Sequence, residues 1–366
     1  MSLQDERLSV LEEETIVDVD VHIQMTSGNE GEELLPYLDE PHRSRMKHSL
    51  TGKSMNDGWD RSVKGKIDMD YESSKSPDAI YERICEEFHI DYPIINTFGA
   101  MTRKPEADWA LALMRAHNDF LVEQILDEYD NFKGVANLTT HRPDLVAEEI
   151  DRMANEKDIV GLFMYNTGQK PALPLGDPYY DQIWEAAEDN GLNVLCHGSA
   201  SGAMYEFPRQ NQGLNSFMAI HTLSHVWSQM ITLTSFINEG VPEKFPDLKF
   251  AFLEAGLAWM PYLLWRLNKE YRMRRSESPL LQKLPEEYQD HFYVNTQPLE
   301  EPLNDENLSK VIEMIGTDRV MFATDYPHWD FDHPSALDKH LRMHFDEDQR
   351  KQILHGNAAE FFDLNI

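Results

Sequence analysis

The chain has 366 residues, of which 65 are Asp or Glu and 33 are Lys or Arg, and its formal net charge of -32 argues against nucleic acid as a partner. Its 2 cysteines exclude a disulfide framework or a thiolate zinc cluster and fit a reducing cytoplasm. No apolar run approaches about 18 residues and the N-terminal segment is charged, so we expect a soluble cytoplasmic protein without a membrane segment.

Short β-branched runs alternate with longer helical patterns along the whole chain. The predicted strands are Ile16–His22, Ile90–Asn96, Phe132–Thr139, Ile159–Tyr165, Asn193–His197, Leu248–Glu254, His291–Asn295 and Val320–Asp325. The helical segments between them include Glu106–Tyr129, Pro143–Glu156, Pro178–Asn190, Phe217–Glu239 and Trp259–Arg274. Eight strand and helix units in succession predict an α/β fold, a (β/α)8 TIM-type barrel.

Residues 23–76 interrupt this alternation after the first strand. They are polar, rich in Gly, Ser, Lys and Asp, and far longer than a usual connection between a strand and a helix. We expect an insertion that covers the barrel mouth or forms an arm of a dimer. Since no linker or internal repeat divides the chain, residues 1–366 are predicted to form one domain with this insertion.

The first strand carries a candidate metal-binding pattern. Side chains alternate between the two faces of a strand, so Asp18, Asp20 and His22 are predicted to share the face toward the barrel interior. Buried charge is costly without a partner, and a bound cation at the carboxyl end of the strand would compensate it. The alternative is that Asp18 caps a turn and that His22 is exposed where the strand ends.

Two later strands also end in polar residues that could bind a metal. His197 closes the fifth strand before Gly198, although a lone histidine there is more often held by an ordinary hydrogen bond. Its neighbour Cys196 has the opposite parity and is expected to pack toward the helices. Asp325 closes the eighth strand, where it could instead be the N-cap of the next helix.

In a barrel the carboxyl ends of all strands meet at one mouth. Asp20, His22, His197 and Asp325 would therefore supply two imidazoles and two carboxylates to one site. This donor set suits one divalent metal ion, either zinc, manganese or ferrous iron.

The order of these motifs resembles the amidohydrolase superfamily, and more closely its branch that includes aminocarboxymuconate semialdehyde decarboxylase. Further similar segments are Glu243–Gly256 and Gly356–Ala359, and the resemblance spans Ile16–Leu364 but not the insertion. It implies that Asp20, His22, His197 and Asp325 are the metal ligands. It also implies a small-molecule substrate and, together with the long insertion, a homodimer.

Two positions depart from the decarboxylase pattern. Asp20 stands where that pattern has the first His, and this more anionic ligand set favours manganese. Glu254 stands where the decarboxylase has a His after the sixth strand. Glu254 could transfer a proton, accept a hydrogen bond from the substrate, or orient a metal ligand. The fourth strand ends in Tyr165 and Asn166 without the bridging Lys of binuclear relatives, which indicates a mononuclear site.

Several other residues are candidates for substrate contact. His221 and His225 are four residues apart and share a helix face near the mouth, and His221 is expected to touch substrate or transfer a proton, unless both are ordinary helix histidines. Tyr165, His328 and Trp329 follow strand ends and could line the pocket.

We first expect a metal-dependent hydrolase. In this interpretation the metal activates a bound water, Asp325 takes its proton, and Glu254 or His221 protonates the leaving group of an amide, ester or lactone. The alternative is a non-oxidative decarboxylase of an aromatic or unsaturated carboxylic acid, since both reactions use one site. A barrel without activity that serves as a binding module is a third possibility.

Overall fold

Eight parallel strands form a barrel in the computed structural model, which describes residues 14–23, 33–49, 76–97, 106–166, 172–198, 217–328 and 331–366. The strands are β1 Val17–His22, β2 Tyr92–Asn96, β3 Lys133–Asn137, β4 Ile159–Tyr165, β5 Val194–His197, β6 Phe250–Leu253, β7 Phe292–Asn295 and β8 Val320–Met321. They are hydrogen-bonded in sequence order, each parallel to the next. The segment after β8 returns to β1, where the amide of Asp325 donates to the carbonyl of Asp20 over 3.1 Å. The predicted (β/α)8 barrel is confirmed.

Helices connect consecutive strands. They are α1 His42–Ser49, α2 Pro77–Ile80, α3 Ala107–Gln124, α4 Pro143–Met153, α5 Asp181–Asp189, α6 Phe217–Asn238, α7 Val241–Lys244, α8 Trp259–Arg274, α9 Glu306–Ile315, α10 Pro334–His344, α11 Glu347–Lys351 and α12 Asn357–Phe361. α2 continues as a π-helix over Tyr81–Glu87. Within the described ranges, no helix combines the length and the apolar composition that crossing a membrane requires.

The barrel interior is filled by apolar side chains from every strand. The cluster comprises Val17, Val19, Ile94, Val135, Phe163, Tyr165, Leu195, Ala251, Leu253, Tyr293, Met321, Ala323, Ala358, Phe361 and Phe362. The last three belong to the C-terminal segment, which closes the barrel at the amino ends of the strands. There the side-chain Nδ2 of Asn193 donates to the backbone carbonyl of Phe361 over 2.7 Å. A Cβ at Gly161 would lie 3.0 Å from the Phe362 ring, so the small residue makes room for this closure.

A second apolar layer lies between the strands and the helices. Trp184, Phe236 and Phe250 are fully buried there, with ring centroids 4.3 Å apart for the two phenylalanines. Cys196 belongs to the same layer, as predicted from its parity. The predicted metal ligands lie at the carboxyl ends of the strands, opposite the C-terminal closure.

Part of the predicted insertion packs beside α3. Leu34 and Leu38 are buried, and the His42 ring stacks on Trp109 of α3 with 5.5 Å between centroids. Residues 24–32 and 50–75 lie outside the described residues.

Candidate metal centre

β1 contains one extra residue relative to β2. The pairing runs from Asp18 opposite Pro93 to Val21 opposite Ile95, so three residues of β1 span two of β2, which is a β-bulge. Before the bulge, Val17 and Val19 face the interior. After it, Val21 packs in the outer layer.

The bulge separates Asp18 from the site. The prediction that Asp18, Asp20 and His22 share one face is wrong for Asp18, because the extra residue reverses the alternation between them. The carboxylate of Asp18 instead accepts hydrogen bonds from the amide and the hydroxyl of Thr324. Burial raises the pKa of Asp18 to about 7, although these hydrogen bonds act to lower it.

The structure brings together the four side chains that the sequence indicated as ligands. Asp20, His22, His197 and Asp325 each offer a ligand atom, all within 4.8 Å of one another, and all four residues are buried. His22 Nε2 lies 2.9 Å from Asp325 Oδ1 and 3.2 Å from Asp20 Oδ1. His197 Nε2 lies 3.8 Å from Asp20 Oδ2.

Both imidazoles are oriented through their other nitrogen. His22 Nδ1 lies 2.9 Å from Asn96 Oδ1 at the end of β2. His197 Nδ1 faces the carbonyl oxygen of Gly198. Because each acceptor requires a proton on Nδ1, the lone pair of each neutral ring is on Nε2 and faces the carboxylates.

This donor set fits a divalent cation. Burial lowers the pKa of His22, and it lowers that of His197 to about 3, so both rings are neutral at physiological pH. Burial also raises the pKa of Asp20 well above its usual range. The nitrogen lone pairs and the carboxylate oxygens face one another in a site that is shielded from solvent, and they repel each other. A cation bound by the two nitrogens and two oxygens would remove the energetic cost of this repulsion.

Two residues at the site have left-handed backbone conformations. The φ angles are 62° at Asp325 and 51° at Glu254. Such conformations are unfavourable for residues other than glycine and occur where surrounding contacts enforce them, often at functional sites. At Glu254 one such contact is the hydrogen bond from its amide to Asn295 Oδ1, at 3.3 Å.

Glu254 lies between a ligand and helix α6. Its Oε2 lies 3.2 Å from His197 Nε2, and its Oε1 lies 3.2 Å from His225 Nε2 but 4.0 Å from His221 Nε2. Burial acts to raise the pKa of Glu254, but attraction to His225, His197 and His328 outweighs it and holds this pKa well below its usual range. The spacing of the two α6 histidines was visible in the sequence, but His225, and not His221, makes the closer and more buried contact.

Backbone contacts fix α6 over the ends of β5 and β6. Gln229 Nε2 donates to the carbonyls of Cys196 and Leu253 over 2.9 Å and 2.7 Å. A Cβ at Gly198 would lie 2.9 Å from the Cα of His225, so glycine allows the helix to approach this closely.

Two of the residues predicted to contact substrate, Tyr165 and His328, lie beside this centre. The Tyr165 ring lies nearly perpendicular to His197, with 5.9 Å between centroids. His328 Nδ1 lies 2.6 Å from Asp325 Oδ1, and its ring lies 4.6 Å from that of His22. Trp329 lies outside the described residues.

Sequence patterns did not single out the polar residues at the ends of β2 and β3. Asn137 Nδ2 donates to Thr97 Oγ1 over 2.9 Å, and His117 Nδ1 lies 3.1 Å from the same hydroxyl. All three residues are buried. The sequence pattern that could have identified such residues is an Asn at the end of an apolar strand, as at Asn96, Asn137 and Asn295.

A barrel whose strand ends carry this buried His and Asp set belongs to the class of mononuclear metal-dependent barrel enzymes. The family model described as Amidohydrolase matches residues 17–364, and the chain belongs to that family. The resemblance stated from the motifs is thereby confirmed.

Relatives and solved structures agree with this assignment. The chain is 26% identical over 285 residues to gamma-resorcylate decarboxylase of Polaromonas sp., covering 75% of this chain and 82% of the relative. It is 24% identical over 282 residues to 2-amino-3-carboxymuconate-6-semialdehyde decarboxylase of Dictyostelium discoideum, covering 75% and 74%. A structure of 5-carboxyvanillate decarboxylase from Novosphingobium aromaticivorans, complexed with manganese and 4-hydroxy-3-methoxy-5-nitrobenzoic acid, has a TM-score of 0.73, 20% identity, and coverage of 96% and 97%.

These comparisons settle two expectations. The chain is an enzyme of this family, and its own buried cluster of two His and two Asp residues fits one divalent metal ion. The expectation of hydrolysis, with Asp325 taking a proton from water, is contradicted, because the relatives are decarboxylases. The predicted ligands could not separate the two reactions, because a bound divalent metal can serve either one.

Proposed function

We propose that the protein is a metal-dependent, non-oxidative decarboxylase of a small aromatic or unsaturated carboxylic acid. The observation that carries the proposal is that the relatives aligned with three quarters of the chain are decarboxylases. The buried set of two His and two Asp residues supports it as the place where the acid would bind. Manganese is the proposed metal, with zinc and ferrous iron as the alternatives.

The reaction needs a place for an anionic acid and a source of one proton. The substrate carboxyl group leaves as carbon dioxide, the electron pair of the broken bond stays on carbon, and that carbon takes up a proton. When bound, the divalent cation supplies positive charge that attracts the oxygens of the acid and offsets the negative charge that develops during the reaction.

We assign the proton transfer to Asp325. Its Oδ1 lies 2.6 Å from Nδ1 of His328, whose side chain is 12% exposed while that of Asp325 is fully buried. A proton can therefore pass from solvent through the imidazole to the buried carboxylate. Glu254 is a weaker candidate because its environment favours the ionised form.

The other predicted residues receive positioning roles. Glu254, held by His225, lies 3.2 Å from Nε2 of His197, so its negative charge would face the bound cation. The rings of Tyr165 and Phe163 lie 5.9 Å and 5.3 Å from the His197 ring, and such aromatic side chains suit a planar substrate. His221 is assigned to substrate contact, since its side chain is more exposed than that of His225.

Purified protein loaded with manganese should be assayed with hydroxybenzoates and with matched esters, lactones and amides. We expect carbon dioxide release from at least one carboxylated aromatic and, in heavy water, deuterium at the carbon that lost the carboxyl group. Hydrolysis of an ester, lactone or amide without any carbon dioxide release would overturn the proposal.

A further inference from the structure

Helix α10 carries a pair of histidines on the side that faces the protein. His340 and His344 are four residues apart, so they lie on successive turns of one helix face. Their ring centroids are 4.7 Å apart, with 39° between the ring planes. His340 is buried, as are Leu337 and Leu341 of the same helix. Two polar rings therefore lie together on a largely apolar face.

Each of these rings has a nitrogen for which the described residues supply no hydrogen-bond partner. Nε2 of His340 and Nε2 of His344 are both shielded from solvent, and neither makes a hydrogen bond to the described part of the chain. Burying a polar atom that is not hydrogen-bonded is costly, and such atoms in native structures call for an explanation such as a bound ion. Two of them on neighbouring rings indicate a group that would bind to both.

A carboxylate lies near this pair. Asp305 precedes α9 and is exposed, and its side chain does not cap that helix. Burial and the neighbouring His344 lower the pKa of His340, whereas the negative charge of Asp305 acts to raise it. Because the pKa of His340 is lowered on balance, the ring is neutral at physiological pH and has a lone pair to offer.

We propose that His340 and His344 form a second metal site, which binds zinc through one nitrogen of each ring. The exposed Asp305 side chain can turn toward the ion as a third ligand, and water would complete the tetrahedral arrangement that zinc prefers. Two histidines four residues apart on a helix are a ligand pattern that zinc uses, with a carboxylate from another element as a further ligand. The net charge of -32 attracts cations to the protein surface.

The donors of this site distinguish it from the metal centre at the barrel mouth. That centre offers two nitrogens and two carboxylates, all of them buried, whereas the α10 site offers two nitrogens and one exposed carboxylate. Manganese prefers carboxylates, and it binds a given set of nitrogen donors more weakly than zinc does. We therefore expect manganese to bind at the barrel centre alone and zinc to bind at α10 as well. The proposed decarboxylation does not depend on the α10 site.

The metal content of the full-length protein tests the proposal. Wild type, His340→Asn and His344→Asn are dialysed separately against zinc and against manganese, and the bound metal is measured by elemental analysis. The dissociation constant for zinc at α10 should rise at least about tenfold in each variant. At a zinc concentration that just saturates wild type, each variant should therefore bind one zinc ion fewer per chain. The manganese content should be the same in all three proteins.

Matched variants control for the loss of a histidine. His291→Asn changes a partly exposed histidine whose Nδ1 lies 3.1 Å from the carbonyl oxygen of Leu248, and it should keep the zinc content of wild type. Asp305→Asn should weaken zinc binding at α10, because the third ligand loses its charge. Circular dichroism confirms folding, and His344, which is less buried than His340, provides the test if His340→Asn does not fold.

Two outcomes would overturn the proposal. Equal zinc content in wild type and in both α10 variants would show that these histidines bind no zinc. A zinc ion that is lost in His221→Asn but retained in His340→Asn and His344→Asn would belong beside Glu254 instead.

Discussion

Glu254 and His225 form a buried pair, with 3.2 Å between Oε1 and Nε2, although they come from β6 and from the helix after β5. The second oxygen of Glu254 lies equally close to Nε2 of the ligand His197. One carboxylate therefore links helix α6 to the metal centre.

We expect the two members of this pair to act as a unit. Glu254→Gln and His225→Asn should each lower kcat about 10- to 100-fold, because Glu254 places its charge beside the metal-facing nitrogen of His197 and His225 holds it there. The double variant should be little worse than either single one, because residues in direct contact are not additive. His221→Asn, at 4.0 Å from the carboxylate, is the control and should change KM more than kcat. Fully additive losses in kcat would contradict the pairing.

Asp325 is the residue on which turnover should depend most. Asp325→Ala should abolish carbon dioxide release, and Asp325→Asn should lower kcat by about 100-fold or more, because the proton donor is lost. Cys196→Ala changes a buried side chain of the outer layer and should leave kcat nearly unchanged. Rapid turnover and normal deuterium uptake in the Asp325→Asn variant would refute the assignment.

Metal binding should stabilise the protein and depend on Asn96. At a manganese concentration about 100 times the dissociation constant, binding should add about 2.7 kcal/mol to the free energy of unfolding. Asn96→Ala leaves His22 Nδ1 without its acceptor and should weaken manganese binding about 10- to 100-fold in calorimetry.

The stoichiometry should be one manganese ion per chain by elemental analysis. Two ions per chain would instead point to additional binding at His221, His225 and Glu254, which also offer ligand atoms within 4.8 Å of one another. An unfolding temperature that does not respond to any divalent metal would contradict the metal centre.

The C-terminal closure should matter for stability and not for chemistry. Phe362→Ala removes a side chain that is 4% exposed at the amino ends of the strands, and should cost about 3–5 kcal/mol in urea denaturation. Ile366→Ala, at a side chain that is 44% exposed, should cost little. The folded fraction of Phe362→Ala should keep its wild-type kcat, and a loss of kcat at unchanged stability would contradict this division.

Much of the barrel could be predicted because its signals are local. Helix α8 has the predicted bounds, Trp259–Arg274, since an uninterrupted apolar period defines it. The candidate ligand His197 was predicted correctly as the last residue of β5, whereas Asp325 reaches the site from the segment after β8, which ends at Met321. For β1, strand parity predicted that Asp20 and His22 share a face, as they do in the structure, but it failed for Asp18. A bulge depends on the pairing with the neighbouring strand, and the alternation of residues along one strand does not reveal it.

Other features depend on contacts between distant parts of the chain. His221 and His225 share a helix face, and the helix position that brings His225 to Glu254 is set by its contact with Gly198. The reaction could not be chosen from the ligands, since a metal held by Asp20, His22, His197 and Asp325 can serve either hydrolysis or decarboxylation. The relatives, which are decarboxylases, favour decarboxylation.

The bulge in β1 makes the pairing of this strand as important as its composition. If β1 paired regularly with β2 over its whole length, alternation would put Val21 on the interior face that Val17 and Val19 share. Asp20 and His22 would then turn away from that face. Such a pairing would eliminate metal binding while leaving all four donors in the chain. The metal site therefore requires the bulge in β1 as well as the four donor side chains.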